Sequence, residues 1–119
     1  MTRAAAASLA AALLVAAVPP AVAHSLLLEA SPAPDAVLVL PPELVTLRFN
    51  NRLEKKLSRL TLVDEHGRTL TLTVAPGGPP DQLGAPLPSL DPGRWRLDWH
   101  VLSTDGHLVS GGYSFRIGR

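Results

Sequence analysis

The 119-residue sequence contains no cysteine. Disulfide bonds, thiolate nucleophiles and cysteine-ligated zinc sites are therefore excluded. The only methionine is Met1, so a metal ion that prefers soft sulfur ligands, such as Cu(I), finds none further along the chain. Small exported domains often rely on disulfides. Without them, this chain must be held together by its hydrophobic core.

An excess of charge of one sign is also lacking. Residues 24–119 carry ten basic and ten acidic side chains, because Arg3 is the only one of the 11 basic residues outside this range. Their formal charge is therefore zero, and the sequence predicts no basic patch and no nucleic-acid partner. Twelve prolines and nine glycines, spread along the chain, argue against long helices.

The first 23 residues have the features of a secretory signal peptide. Arg3 provides a positive start, and residues 4–18 are apolar and uncharged. Pro19 and Pro20 then end any helix, and Ala21–Ala23 form a small-x-small cleavage pattern. A transmembrane anchor is the alternative, but the apolar run is short of the ~20 residues that span a bilayer. We expect residues 1–23 to be removed, leaving a soluble exported domain that begins at His24.

The remainder, residues 24–119, reads as one all-β domain. Short runs with strand periodicity alternate with turn signals, which is typical of a β-sandwich. In the clearest run, Trp95, Leu97, Trp99 and Val101 share one face, and we expect this face to pack in the core. The predicted strands are Leu44–Phe49, Leu57–Val63, Arg68–Val74, Arg94–Val101 and Gly111–Ile117. We expect a hairpin from the second and third, a helical turn or bulge in Asn50–Lys56, and an irregular loop over Ala75–Pro88.

Three residues form a candidate metal site. Asp105 and His107 flank Gly106 in the loop Ser103–His107, and residues i and i+2 of an extended segment point the same way. An N-terminal His24 offers an amine and an imidazole that chelate one ion. The resulting set of three nitrogens and one oxygen suits Cu(II). The alternative is that His107 is solvated and Asp105 only caps the turn.

The other two histidines are expected to have no metal-binding role. His66 lies in the turn Asp64–Gly67 and should be solvated, whereas His100 lies on the polar face of its strand.

Over essentially all of residues 24–119 the sequence resembles the CopC copper-resistance proteins, which are small periplasmic copper carriers. The resemblance rests on DWHVLSTDGH at Asp98–His107 and GYSF at Gly112–Phe115. Further matching segments are Ser31–Asp35, Pro42–Leu44, Leu47–Phe49 and Pro92–Leu97. It implies a Greek-key β-sandwich, described as cupredoxin-like or immunoglobulin-like. It also implies one Cu(II) bound by His24, Asp105 and His107, and a CopD-like inner-membrane copper transport protein as partner.

Two departures from the family pattern affect these expectations. Some members bind Cu(I) in a methionine-rich loop, but Ala75–Pro88 has neither Met nor His, so no Cu(I) site is expected. Some members carry an acidic residue where this chain has Asn51. An amide adds no charge there, although it retains the ability to hydrogen-bond a ligand.

Three functions are compatible with the sequence. The first is a non-enzymatic Cu(II) carrier or buffer of copper homeostasis or resistance. The second is a histidine-brace copper enzyme, which needs an open coordination position that Asp105 would fill. The third is a metal-free immunoglobulin-like interaction module, which leaves the grouping of His24, Asp105 and His107 to chance.

Overall fold

The computed structural model describes residues 26–118, and the expected signal peptide and His24 lie outside this range. The described chain forms eight strands and one short 3-10 helix. Their bounds are β1 Leu27–Ser31, β2 Val37–Leu38, β3 Leu44–Phe49, the 3-10 helix Lys55–Leu57, β4 Arg59–Asp64, β5 Thr69–Leu72, β6 Gln82–Pro86, β7 Gly93–Leu102 and β8 Leu108–Ile117. Within residues 26–118, no helix is long and apolar enough to span a bilayer.

The strands form two sheets, with the orders β1-β3-β6 and β2-β8-β7-β4-β5. Except for the parallel β2–β8 pair, all pairings are antiparallel. Several consecutive strands lie in different sheets. The hydrophobic faces of the two sheets enclose one core. This architecture confirms the expected Greek-key β-sandwich.

The core consists of the inward-facing residues of both sheets. Leu97 and Val101 of β7 are fully buried and Trp99 is 9% exposed, which confirms the face predicted for this strand. Trp99 packs edge-on against Phe49 of the opposite sheet, with ring centroids 5.9 Å apart. Gly111 lies against this indole, and a Cβ at that position would overlap the ring of Trp99. On the other face of β7, His100 is exposed as predicted, together with Arg94 and Arg96, and Asp98 is half-buried.

The expectation of an irregular loop over Ala75–Pro88 is wrong in its second half. Gln82–Pro86 forms β6, which pairs with β3 alone and ends its sheet. Leu83 and Ala85 alternate inward and are fully buried, whereas Gly84 and Pro86 made the segment resemble a loop. Proline is tolerated here because an edge strand leaves N–H groups unpaired on one side.

The other predicted elements are present with shifted ends. The hairpin is confirmed as β4 and β5. β4 begins two residues later and ends one residue later than predicted, and β5 is shorter than predicted at both ends. The helical turn lies at Lys55–Leu57, at the end of the segment where one was expected. The closing strand β8 begins at Leu108, because its pairing with β7 continues to the Leu102–Leu108 pair.

Candidate metal centre

Asp105 and His107 lie in the tight turn that joins β7 to β8. The turn is closed by two backbone hydrogen bonds, from Ser103 N to His107 O and from Gly106 N to Ser103 O, both 2.9 Å. Gly106 has a φ of 91°, a conformation that residues with a side chain rarely adopt. The sequence attributed the proximity of Asp105 and His107 to an extended segment. In the structure the turn is the cause.

The two side chains face each other at the surface. Nδ1 of His107 lies 3.2 Å from Oδ1 of Asp105, and the side chains are 55% and 46% exposed. The backbone N–H of His107 also donates to Oδ1, at 3.3 Å. The pair therefore offers a carboxylate oxygen and an imidazole nitrogen at one point of the surface.

Ser103 supports this pair from below. It is the one buried polar residue of the described core, 1% exposed, and its hydroxyl donates to Oδ1 of Asp105. This hydrogen bond is the main reason why the pKa of the Asp105 carboxyl is lowered, and His107 acts in the same direction against a desolvation effect. The carboxylate therefore remains charged below the usual pH range of an aspartate. Sequence reasoning missed Ser103, since a serine in a loop is usually solvated.

The first described residue is attached close to this end of the sandwich. Leu26 N donates to the Asn50 side-chain oxygen at 2.8 Å, and Asn50 N donates to Leu26 O at 3.1 Å. Two residues further on, the carbonyl of Arg52 accepts a 3.0 Å hydrogen bond from Thr104 in the turn, and Leu53 bridges Ser103. Residues 50–53 thus connect the start of the described chain to the turn.

Asn51 lies in the middle of this connection. Its side-chain nitrogen is buried and, within residues 26–118, has no hydrogen-bond partner. Buried donors are normally satisfied, and the partner of this one is not among residues 26–118. The free donor is consistent with the expectation that the Asn51 amide hydrogen-bonds a ligand group.

The remaining described histidines lie elsewhere. The His66 side chain is 70% exposed in the β4–β5 turn, where the His66 backbone N–H donates to Oδ1 of Asp64 at 2.9 Å. His100 is exposed on the outer sheet face, with Nδ1 2.7 Å from the Ser110 hydroxyl. Within the described part of the chain, no three His, Asp or Glu side chains form a metal-binding group. The structure therefore brings together two of the three predicted ligands, and His24 lies outside the residues it describes.

Comparison with protein families gives a match to the CopC domain over residues 27–118. Copper resistance protein C of Escherichia coli is 32% identical over 106 residues, which cover 82% of this chain and 83% of the relative. The crystal structure of CopC from Methylosinus trichosporium OB3b superimposes with a TM-score of 0.74, at 32% identity, covering 80% and 94% of the two chains. PcoC, a methionine-rich copper resistance protein from Escherichia coli, gives 0.68 at 30% identity, covering 80% and 99%.

Proposed function

Because this chain belongs to the CopC domain family of copper-binding resistance proteins, we propose that it is an exported carrier of one Cu(II) ion. The observation that carries the proposal is the position of Leu26, the first residue that the structure describes. Leu26 is hydrogen-bonded to Asn50, and the same segment is hydrogen-bonded to the turn that holds Asp105 and His107. His24 precedes Leu26 by two residues, a reach of up to ~7 Å.

In this proposal, processing after Ala23 creates a ligand. Cleavage converts the amide nitrogen of His24 into a free amine, which chelates copper together with the His24 imidazole. His107 adds a third nitrogen and Asp105 an oxygen, a set typical of tetragonal Cu(II). The uncut precursor lacks the amine and forms only part of the site.

Proton competition follows from these ligands. Copper must displace protons from an amine and from imidazoles, groups that ordinarily titrate between ~6.5 and 8. Affinity for copper should therefore fall as the pH decreases through this range. Asp105 contributes little to that fall, because the Ser103 hydrogen bond lowers the pKa of its carboxyl.

A carrier role is favoured over catalysis by the same ligand set. Asp105 fills the position that a copper enzyme keeps open for oxygen. The absence of methionine after position 1 favours Cu(II) alone as cargo, in contrast to the methionine-rich PcoC. The acceptor in this proposal is a CopD-like transport protein of the inner membrane, reached from the periplasm.

The test is a Cu(II) titration of the processed protein and of a variant with one alanine inserted before His24. The inserted residue moves the amine away from the His24 ring, so we expect the affinity to drop by at least about tenfold, the usual cost of losing one good contact of ~1.4 kcal/mol. His66→Ala, which removes a solvated imidazole, serves as control and should bind like the parent. Equal affinity of the extended and parent proteins would rule out the amine as a ligand.

A further inference from the structure

Cations are distributed unevenly over the described surface. Arg48, Arg68 and Arg96 form ion pairs with acidic partners. The cations at positions 52, 55, 56 and 59, like Arg94 and Arg116, form no ion pair with any residue between 26 and 118, and these four lie close together in the sequence. We call residues 52–59 the cationic segment. With four cations and only Glu54 as an acid, it carries a formal charge of +3, so the rest of residues 24–119 carries −3.

This segment corrects the expectation that the chain has no basic patch. Lys56 and Arg59 are exposed, and Lys55 is held in place by a 2.6 Å hydrogen bond from Nζ to the Gly77 carbonyl. Because the formal charge of residues 24–119 is zero, the absence of a nucleic-acid partner is still expected.

The cationic segment borders the candidate copper turn. The carbonyl of Arg52 accepts a hydrogen bond from the backbone N–H of Thr104, and the N–H of Glu54 donates to the carbonyl of Leu102 at 2.8 Å. The Leu102 N–H in turn donates to the Ser58 hydroxyl at 3.2 Å. These bonds lie on both sides of the junction between β7 and the turn. The backbone of the cationic segment is therefore attached beside the turn that carries Asp105 and His107.

Two exposed leucines complete this surface. Leu57, in the 3-10 helix, and Leu108, directly after His107, are each 67% exposed. Leu102 lies between them, paired with Leu108 on one side and bonded to Ser58 on the other. Apolar side chains within a charged rim are the usual composition of a protein interface.

We propose that the cationic segment, with Leu57 and Leu108, is the docking surface for the protein that receives the copper, and that this acceptor presents acidic side chains. The inference rests on the proposed carrier function. Direct transfer requires the acceptor to touch the surface around the metal, and this border is positive, so a complementary partner is negative there. An anionic membrane is the alternative occupant, because lipid-binding patches gather four to eight cations, and the vesicle arm of the test distinguishes it from an acidic protein.

The test uses an acidic probe. A fluorescein-labelled peptide of alternating Asp and Glu around two histidines is titrated with the exported, processed protein, both copper-free and Cu(II)-loaded, and binding is followed by anisotropy. Lys56→Glu combined with Arg59→Glu should weaken binding about fivefold or more, from the loss of two exposed charge contacts and the repulsion that replaces them. Rising salt should remove most of the difference.

The matched control is Arg94→Glu with Arg116→Glu. These residues are a cross-strand pair at the far end of β7 and β8. Both double variants replace two cations by two acids, so they change the net charge by the same amount. We expect less than a twofold effect. Lys56→Gln with Arg59→Gln should give an intermediate loss. Circular dichroism of each variant checks that the sandwich is folded.

Three results would overturn the docking proposal. The first is an equal loss of peptide affinity in both charge-reversal variants, and the second is no loss in either. The third is binding to phosphatidylglycerol vesicles that depends on Lys56 and Arg59 when binding to the peptide does not. Copper loading is measured separately by titration. If the parent protein does not load copper, the carrier function fails; if all variants load copper and bind the peptide equally, only the docking surface fails.

Discussion

Ser103 lies at the base of the turn between β7 and β8, where its buried hydroxyl donates to the carboxylate of Asp105. We expect Ser103→Ala to weaken Cu(II) binding about tenfold, because losing a group that orients a metal ligand typically costs 10- to 100-fold in affinity. The pKa of Asp105 should rise in the same variant, since its main lowering contact is removed. Copper titration and carboxyl NMR shifts measure the two effects.

Ser110→Ala is the matched control for this prediction. Ser110 is exposed and bonds the ring of His100, away from the turn. Its loss should leave the affinity unchanged. If both serine variants bind copper like the parent, Ser103 is only a core residue and Asp105 needs no support from it.

The sequence predicted part of the site at this scale. The grouping of Asp105 with His107 followed from their spacing, and the structure places them 3.2 Å apart. The roles of Ser103 and Asn51 did not follow, because burial and hydrogen-bond partners depend on the packing of segments distant in sequence. Composition around a residue carries little information about these contacts.

Among the strands, β8 is attached to the start of the sandwich by Tyr113. Its hydroxyl donates to the Pro32 carbonyl at 2.6 Å, across 81 positions of sequence. Tyr113→Phe should lower the free energy of unfolding by about 1 kcal/mol, the usual net value of such a hydrogen bond. Urea unfolding measures the loss, and unchanged copper affinity serves as control. No change in stability would mean that the bond has no net effect.

The same residue gives the fold a pH dependence. Burial raises the pKa of Tyr113 from 10.0 to about 12. Between pH 10 and about 12 the unfolded chain loses the phenolic proton and the folded chain keeps it. The contribution of Tyr113 to the free energy of unfolding should therefore be constant below pH 10 and fall as the pH rises above it. In Tyr113→Phe this part of the alkaline loss should disappear.

Element types were predictable where periodicity was clean, and boundaries were not. The alternation of β7 predicted both its faces. In contrast, β6 was missed because Pro86 and Gly84 interrupt its pattern, and only its pairing with β3 on one side makes proline acceptable there. The 3-10 helix likewise depends on its contacts with β7, which the sequence does not display.

At the scale of the whole molecule, the sandwich brings three distant segments to one end. These are the start of the described chain at Leu26, the connection at residues 50–53 and the turn at Ser103–His107. The fold thereby gives a rigid support to a site whose proposed ligands are 83 positions apart in sequence, from His24 to His107. The central claim is that these ligands bind one Cu(II) ion together.

The most direct measurement is a Cu(II) EPR spectrum of the processed protein with one equivalent of copper, compared with His107→Ala. The proposal predicts a tetragonal spectrum with three nitrogens and one oxygen, and the loss of one nitrogen in the variant. His100→Ala removes an imidazole from the outer sheet face and should leave the spectrum unchanged. An identical spectrum for the parent and His107→Ala would contradict the site.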